Sequence, residues 1–385
     1  MTLRITSVVG ARPNFMKIAP FARALSALGG RVEHRLVHTG QHYDAAMSHA
    51  FFEGLRIPRP DVDLEIGSGS HAEQVGRTMI AFERDLHHWR PDWVVVVGDV
   101  NATLACAVTA RKAHVKVAHI EAGLRSFDMA MPEEINRLVT DRLSNLLFTT
   151  DRMANENLAR EGVPEDSMRL VGNVMIDTLD AELPKARALN PKDVVVSHRH
   201  PDAPESQPDL PAEGFGVVTL HRPSNVDHPE ILGPLAEYLL DDVSRSLPLI
   251  WSVHPRTVKN LQAFGLWDRI VRWPRIALTR PMGYHEMLCL NRSARLVLTD
   301  SGGMQEECCV LGTPCVTLRW NTERPITLVE HGGTNRLAGN DPGKIRAAVT
   351  AALSESRRPA RPPLWDGHAA ERIARELLLH GNITT

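Results

Sequence analysis

Residues 93–124 carry the clearest fold signal in the chain and read WVVVVGDVNATLACAVTARKAHVKVAHIEAGL. Trp93–Gly98 is continuously apolar up to its glycine, and Val115–Ile120 is a second run of strand length, with a helix-length segment between them. Strands without polar alternation are typical of parallel sheets whose two faces are both covered by helices. This stretch therefore predicts a strand–helix–strand unit of an α/β fold.

The same alternation of strand-length and helix-length segments continues on both sides of this stretch. The further predicted strands are Leu3–Val9, Val32–His38, Leu146–Thr149 and Arg169–Val171 in the first half, and Phe215–Leu220, Leu249–Val253, Ile276–Thr279, Leu296–Thr299 and Cys315–Leu318 in the second. Two doubly wound, Rossmann-like domains facing a cleft are the architecture that this pattern favours.

The pattern fails between Pro184 and Pro211, where the chain holds six prolines and little periodicity. We therefore predict an N-terminal domain over residues 1–180, a Pro-rich connector over 181–213 and a C-terminal domain over 214–365. Within the connector, the three valines at 194–196 favour a short strand. A final helix in the segment 366–385 is expected to pack back on the first domain, because its apolar residues recur at helical spacing.

Composition limits the classes of partner. The 385 residues hold 44 Lys and Arg against 46 Asp and Glu, a net charge of −2, so no broad positive field is available for nucleic acid or a membrane surface. The first residues are interrupted by Arg4 and Arg12, unlike a signal peptide, and no apolar run is long enough to span a bilayer. Five cysteines, an odd number without a CxxC pair, predict reduced thiols in a cytoplasmic protein.

The loop after the first predicted strand, residues 10–14 (GARPN), has the chemistry of a phosphate site. It places Arg12 and Lys17 beside the free N–H groups at the start of a helix. The alternative is that Arg12 pairs with a carboxylate and Lys17 is solvated. The chain has neither a GxGxxG nor a GxxxxGK[ST] motif, so dinucleotide redox and P-loop chemistry lose their usual support.

Carboxylates follow two neighbouring predicted strands. Asp99 comes directly after Trp93–Gly98, and Glu121 after Val115–Ile120, so both reach the carboxyl edge of the first sheet, where a carboxylate meets a ligand hydroxyl or orders a loop. The segment MPEEINR then adds Glu133 and Arg137 at a predicted helix start. For Glu133 and the adjacent Glu134, capping of the helix N-terminus is the structural alternative.

The segment 300–307 (DSGGMQEE) has features of a nucleotide-sugar site. Glycines at 302 and 303 allow backbone N–H groups to approach a diphosphate, Ser301 adds a donor, and the helix dipole adds attraction. Glu307 is placed to reach ribose hydroxyls, and Arg324 supplies a further guanidinium.

Histidines end two predicted strands of the second domain. His221 and His254 could each meet an anion, or could be hydrogen-bonded loop residues. The other candidates have no partner set with metal-ligand spacing, and we expect them to be solvated: His87, His88, His198 and His200. We therefore predict no metal site. Cys308 and Cys309 are expected to pack against the sheet rather than to react.

Taken in order, ten motifs resemble those of the non-hydrolysing UDP-N-acetylglucosamine 2-epimerases. They are GARPNFMK, VHTGQHYD, VVGDVNAT, HIEAGLRSFD, MPEEINR, VGNVMIDTL, TLHRPSNVD, VHPRT, DSGGMQEE and NTERP, and they span about residues 1–340. The resemblance implies a glycosyltransferase-B-like fold and a homodimer. It also implies interconversion of UDP-GlcNAc and UDP-ManNAc without a nicotinamide or metal cofactor.

The resemblance also assigns roles to residues. It implies a diphosphate site made of Arg12, Lys17, His221, Ser301, Gly302, Gly303 and Arg324, with Glu307 on the ribose and the uracil near Pro281, Met282 and Met287. Asp99, Glu121 and Glu133 are implied as the essential carboxylates. The implied reaction is anti elimination of UDP to 2-acetamidoglucal followed by re-addition with inversion at sugar carbon 2. We expect Asp99 or Glu121 to be the base, with Glu133 orienting the sugar or acting as the second acid.

Several positions depart from the family pattern. Ala11 and Asn14 stand where many relatives have GTRPE, and Met287 stands where family members often have an aromatic residue. Asp44 replaces a glutamine that binds an activating second UDP-GlcNAc in some relatives, which argues against such activation here. A branch acting on diacetamido uronic acid nucleotides tends to lack the TERP and QEE segments found here.

Three other functions fit the same motifs. A glycosyltransferase would need a sugar-acceptor site beside the donor site. A UDP-sugar sensor would not need three acids beside an anionic ligand. A hydrolysing variant would release free ManNAc and UDP.

Overall fold

A computed structural model describes residues 2–40, 54–55, 57–204 and 214–381, apart from the side chains of Arg12 and Pro13. The chain divides into two compact units, residues 1–181 with 362–385, and residues 182–361. Over the described ranges, no helix has the length and apolar character needed to cross a membrane. The position of Asp44 lies outside the described residues.

The first unit is built on a parallel sheet of seven strands. They are β1 (Leu3–Val9), β2 (Val32–His38), β3 (Val62–Asp63), β4 (Trp93–Val97), β5 (Lys116–Ala122), β6 (Leu146–Thr149) and β7 (Met168–Leu170), in the order β3-β2-β1-β4-β5-β6-β7. The strand order reverses between β1 and β4. In open α/β sheets, ligands bind beyond the carboxyl ends of the strands at such a switch point.

Helices connect these strands. They are α1 (Arg12–Ala27), α2 (His71–His88), α3 (Asn101–Lys112), α4 (Pro132–Leu143), α5 (Arg152–Arg160) and α6 (Val174–Arg187), the last running into the second unit. The valines of β4 are all buried, and Val94 and Val96 pack with β5, α2 and α3 in one apolar cluster. Continuous burial explains why this strand shows no polar alternation.

The C-terminal helix α15 (Ala369–His380) belongs to the first unit. Three contacts hold it there. The indole N–H of Trp365 donates to the Thr150 carbonyl at 2.9 Å, and Asp177 accepts the backbone N–H groups of Ala369 and Ala370 at 3.1 and 2.7 Å. Arg169 of β7 pairs with Glu376 at 2.9 Å.

The second unit has a parallel sheet of six strands. They are β8 (Gly216–Thr219), β9 (Leu249–Ser252), β10 (Ile276–Thr279), β11 (Leu296–Thr299), β12 (Cys315–Thr317) and β13 (Asn335–Leu337), in the order β10-β9-β8-β11-β12-β13. Its helices are α7 (Pro191–Ser197), α8 (Pro223–Val226), α9 (Pro229–Tyr238, continued to residue 246 by a π-helical turn), α10 (Pro255–Ala263), α11 (Trp267–Val271), α12 (Tyr284–Ser293), α13 (Gly302–Leu311) and α14 (Pro342–Ser354). Its strand order reverses between β8 and β11.

The prediction of two Rossmann-like, doubly wound units is confirmed. The prediction of a strand at 194–196 is wrong, because these valines lie in α7. Asn190 caps that helix by accepting the Lys192 backbone N–H at 2.9 Å, and Pro191 occupies the first helical position. The stretch predicted as a connector is therefore partly helical, and its residues 205–213 lie outside the described ones.

Candidate active site

Glu121 occupies a bulge at the carboxyl end of β5. The pairing of β5 with β6 shifts register between Ile120 and Ala122, and Glu121 has a φ of 72°. A left-handed backbone is uncommon for a residue with a side chain, and bulges often re-aim a side chain next to a functional site. Here the bulge brings the Glu121 carboxylate against the ammonium group of Lys17.

Lys17 and Glu121 form a buried ion pair. Lys17 is 6% exposed and Glu121 3% exposed, so the alternative of a solvated Lys17 is wrong. Removing two charges from water is costly unless each compensates the other. Lys17 therefore gives the buried Glu121 carboxylate a partner of opposite charge.

Gly98 makes this ion pair possible. Its φ is 68°, and a Cβ atom at this position would lie 3.0 Å from Lys17 Nζ and 3.3 Å from Glu121 Oε2. Asn14 fixes the neighbouring loop, because its side chain accepts the N–H groups of Gly10 and Ala11, both at 3.1 Å, and donates to the Val97 carbonyl at 3.0 Å. The departure from the family pattern at Asn14 thus ties the ends of β1 and β4 together.

Asp99 faces a second cation. Its carboxylate accepts from Arg137 Nη1 at 2.5 Å, and its side chain is 26% exposed. Arg137 is buried and also donates to Glu134 at 2.6 Å. The Asn136 amide donates to the Asp99 carbonyl at 2.8 Å, so α4 positions both the side chain and the backbone of Asp99.

The adjacent acids Glu133 and Glu134 have different surroundings. Glu134 is buried and accepts from the backbone N–H groups of Ser126 and Phe127 at 3.0 and 2.9 Å, so it holds the preceding loop rather than capping its own helix. Burial alone would raise the pKa of Glu134, but these donors and Arg137 outweigh it and lower the pKa. Glu133 is half-buried, and its side chain forms no hydrogen bond or ion pair within the described part of the chain.

In the second unit, His221 forms a dyad with Asp300. Nδ1 of His221 lies 2.8 Å from Asp300 Oδ1. The completely buried Asp300 also accepts the backbone N–H groups of His221 and Arg222, each at 2.9 Å, and the Asn225 amide at 3.2 Å. Burial would raise the pKa of Asp300, but these donors lower it. The ionised carboxylate thus keeps hydrogen on Nδ1 and leaves Nε2 of His221 for a ligand.

His254 lies beside this dyad and caps α10. Its Nδ1 accepts the Arg256 backbone N–H at 3.2 Å, and its ring centroid lies 5.9 Å from that of His221. Ser301 precedes α13, whose first N–H groups, beginning at Gly302 and Gly303, have no partner inside the helix. Both features follow strands at the carboxyl edge of the second sheet, which is suitable for an anion.

Arg324 is held by two carboxylates. Its Nε lies 3.0 Å from Glu306 Oε1, and Nη1 contacts Glu323. Glu323 pairs in turn with Arg319 at 2.7 Å. A Cβ atom on Gly302 would lie 2.6 Å from Arg324 Nη1, so a glycine is required at the start of α13 for this guanidinium to lie there.

Glu307 is buried inside α13 next to Asn291, whose amide lies 3.3 Å from Glu307 Oε2. Burial raises the pKa of Glu307 to about 7, although hydrogen bonds from Asn291 and Tyr284 oppose the rise. Of the three residues implied for the uracil, Pro281 is exposed, Met282 is buried and Met287 is half-buried. Arg12 begins α1, but its side chain is outside the described part.

Several residues around these clusters were missed by sequence reasoning. They are Asn136, Asn225, Asp300, Glu306, Glu323, and the network in which the buried His119, Asp141 and Arg125 pair with one another and with the exposed Glu161. The signal that could have found this network is a polar residue in an otherwise apolar strand, such as His119 in β5. Within the described ranges, no three His, Cys, Asp or Glu side chains are grouped so that they could hold a metal ion.

Comparisons with known proteins identify the family of this chain. A profile of the family described as UDP-N-acetylglucosamine 2-epimerase matches residues 26–378. The UDP-N-acetylglucosamine 2-epimerase of Methanocaldococcus jannaschii is 40% identical over 376 residues, covering 97% of this chain and 99% of the relative. The UDP-2,3-diacetamido-2,3-dideoxy-D-glucuronate 2-epimerase of Pseudomonas aeruginosa is 38% identical, with coverages of 97% and 99%.

A solved structure shows the same fold. The crystal structure of the M. jannaschii enzyme in complex with UDP-GlcNAc and UDP matches with a TM-score of 0.87 and 41% identity, covering 98% of this chain and 100% of that one. The family profile, the relatives and the fold agree over nearly the whole chain. This chain is therefore an epimerase that belongs to the UDP-N-acetylglucosamine 2-epimerase family.

Proposed function

We propose that this enzyme interconverts UDP-GlcNAc and UDP-ManNAc by eliminating UDP to 2-acetamidoglucal and adding it back. The observation that carries the proposal is that two carboxylates at one sheet edge, Asp99 and Glu121, each contact a cation of their own. Family membership and the relative crystallised with UDP-GlcNAc and UDP support the choice of substrate.

The chemistry requires UDP to leave as the sugar proton is removed. The hydrogen on carbon 2 is weakly acidic, so a base alone cannot form a carbanion there. In the elimination, the carboxylate takes this hydrogen, the C–H electron pair becomes the C1=C2 double bond, and the C1–O pair departs with the UDP β-phosphate. Addition reverses these steps with hydrogen delivered to the opposite face of carbon 2.

Asp99 and Glu121 serve as the two bases in this proposal, one for each epimer. Each carboxylate has a positive partner of its own, Lys17 for Glu121 and Arg137 for Asp99. Glu133, which is half-buried, orients the sugar.

The second unit binds UDP and accepts the charge that develops on it. His221 donates from Nε2 to the departing phosphate, while Asp300 stabilises the positive ring, and the N–H groups that begin α13 with Ser301 bind the diphosphate. Glu307 accepts from the ribose hydroxyls, and the uracil lies near Met282 and Met287. Arg12 adds a further positive charge for the diphosphate, and the ring of His254 packs beside that of His221. Arg324 acts through the loop that it fixes with Glu306.

The cysteines bear on the cellular compartment of the enzyme. The five cysteines are all free thiols in buried positions, which supports a reducing compartment and hence the cytoplasm. We infer a homodimer, as the family resemblance implies.

Incubation with UDP-GlcNAc in deuterium oxide, followed by proton NMR, tests the function. We expect UDP-ManNAc carrying deuterium at carbon 2 and little free sugar. Free ManNAc with UDP would indicate a hydrolase, and an unchanged spectrum would contradict epimerisation of this substrate. The diacetamido glucuronate nucleotide is the matched alternative substrate, because a relative with 38% identity is named for it. Faster turnover of that nucleotide would overturn the choice of UDP-GlcNAc.

A further inference from the structure

Asp141 of α4 contacts the chain on both sides of the Glu121 bulge. Its Oδ1 lies 2.6 Å from Nδ1 of His119, two residues before Glu121. Its Oδ2 accepts the Gly123 backbone N–H at 3.1 Å, two residues after Glu121, and lies 2.7 Å from Arg125 Nη1. One carboxylate therefore connects the two ends of the segment that carries Glu121.

His119 links the same carboxylate to the Asp99 loop. Its Nε2 lies 2.8 Å from the Gly98 carbonyl, which can only accept, so Nε2 carries hydrogen. Nδ1 faces the Asp141 carboxylate, so both ring nitrogens lie against hydrogen-bond acceptors. Gly98 is the residue that leaves room for Lys17 beside Glu121. The contact of His119 with the Gly98 carbonyl therefore also fixes the loop next to this ion pair.

Burying the charged groups of this network costs free energy, which argues that the network has a function. His119 and Asp141 are completely buried, at 0% and 2% exposure, and removing charged groups from water costs several kcal/mol per ion. Burial would raise the pKa of Asp141, yet His119 and Arg125 lower it, so the carboxylate is held ionised. Glu161 completes the pairing of Arg125 at 2.7 Å.

We infer that Asp141 is a positioning residue for the epimerisation, acting through His119 and Gly123 to hold Glu121 in its left-handed bulge. Bulged backbone is retained only when the surrounding structure over-determines it, and these contacts supply that constraint. Asp141 does not touch the sugar in this account. This inference rests on the proposed function, because it deepens the role of Glu121.

The variant Asp141→Asn tests the inference with little change of shape. An asparagine cannot accept from His119, Gly123 and Arg125 together, so the Glu121 carboxylate loses its fixed position. We expect kcat for UDP-GlcNAc to fall by roughly 100-fold, because a misplaced catalytic group costs about that factor. KM and the Kd of UDP should stay within about twofold, because binding of UDP belongs to the second unit.

Asp177→Asn is the matched control. Asp177 is also buried in the first unit and also accepts two backbone N–H groups, but it holds α15 instead of the bulge. Its kcat should stay within about twofold of the unmodified enzyme. An equal loss of kcat in both variants, or a rise of KM without a fall of kcat in Asp141→Asn, would overturn the inference.

Nitrogen-15 NMR of histidine-labelled protein keeps the test open if Asp141→Asn does not fold. The unmodified protein should show one buried imidazolium with hydrogen on both ring nitrogens, assigned to His119 by its absence in His119→Gln. A neutral His119 ring would contradict the inference. Inactivity of the unmodified enzyme toward UDP-GlcNAc would instead reject the proposed function, while this spectrum would still report the charge of the network.

Discussion

Nδ1 of His221 lies 2.8 Å from Oδ1 of Asp300, and this same carboxylate accepts the backbone N–H groups of His221 and Arg222. The ring and the loop that carries it are thus fixed by one buried acid at the switch point of the second sheet. The ring itself remains 40% exposed, so Nε2 is available to a ligand. The contrast between a buried partner and an exposed ring is typical of a group positioned to donate to a substrate.

Asp300→Asn should weaken the positioning of the His221 ring. The amide removes the negative charge beside Nδ1 of His221, so we expect turnover to fall by roughly 100-fold, at the lower end of the range for proton-transfer groups. Initial rates with UDP-GlcNAc measure it. Asp202→Asn is the control, because Asp202 also lies beside a histidine, 3.9 Å from His200, but accepts from the Trp267 indole N–H at 2.9 Å instead of from the His221 loop. Wild-type turnover in Asp300→Asn would contradict the role of the dyad.

Gly98→Ala should disturb the contact between Lys17 and Glu121. The added methyl group would lie 3.0 Å from Lys17 Nζ, so we expect turnover to fall by roughly 100-fold. Gly162→Ala is the matched control, since Gly162 has a φ of 75° and no atom within 4 Å of the added carbon. Both variants should lose about 1 kcal/mol of stability from backbone strain, and steady-state rates should fall in Gly98→Ala alone. Equal rates in the two variants would show that the contact is unimportant.

Substitution of the neighbouring acids Glu133 and Glu134 should give opposite results. Glu134→Ala leaves Arg137 buried without one of its partners, so the free energy of unfolding should fall by about 3–5 kcal/mol. Glu133→Gln should change it by under about 0.5 kcal/mol, because Glu133 forms no ion pair among the described residues. Turnover of Glu133→Gln should nevertheless fall by roughly 100-fold if it orients the sugar. Urea titration and initial rates measure the two quantities, and full activity of Glu133→Gln would reject that role.

Glu307 should make the stability of the second unit depend on pH. Its pKa is raised from 4.5 to about 7, so the folded state binds a proton that the unfolded state has already lost in this range. Its contribution to stability is therefore complete below pH 4.5 and is lost as the pH rises through 7, a change of about 3 kcal/mol. Hydrogen exchange of the α13 amides at a series of pH values measures this change in stability. Glu307→Gln should remove the dependence of stability on pH. Parallel pH curves for the two proteins would contradict the buried, protonated carboxyl.

The sequence was most informative where burial leaves a simple pattern. The apolar run of β4 predicted its strand, whereas β3 and β13, two and three residues long, have no such run and were missed. The valines of α7 were misassigned because their β propensity was given more weight than the cap at Asn190 and Pro191. Local capping determines the conformation of so short a segment.

Sequence motifs identified the candidate side chains but not their partners. Asp99 and Glu121 were found because each follows a strand, yet the pairing of Glu121 with Lys17 joins residues 104 positions apart. Arg324 was expected to face a diphosphate, and its contacts with Glu306 and Glu323 depend on packing that no spacing rule describes. The roles of these residues stay predictions.

By the proposed route, the bond between sugar carbon 1 and the UDP oxygen breaks in every epimerisation. UDP-GlcNAc carrying oxygen-18 at this bridging position reveals whether the bond breaks, with phosphorus-31 NMR following the label. We expect the label to move into non-bridging positions of the β-phosphate as UDP-ManNAc forms, because the β-phosphate of the cleaved, bound UDP can rotate before it adds back. Formation of UDP-ManNAc with the label wholly in the bridge would contradict this route.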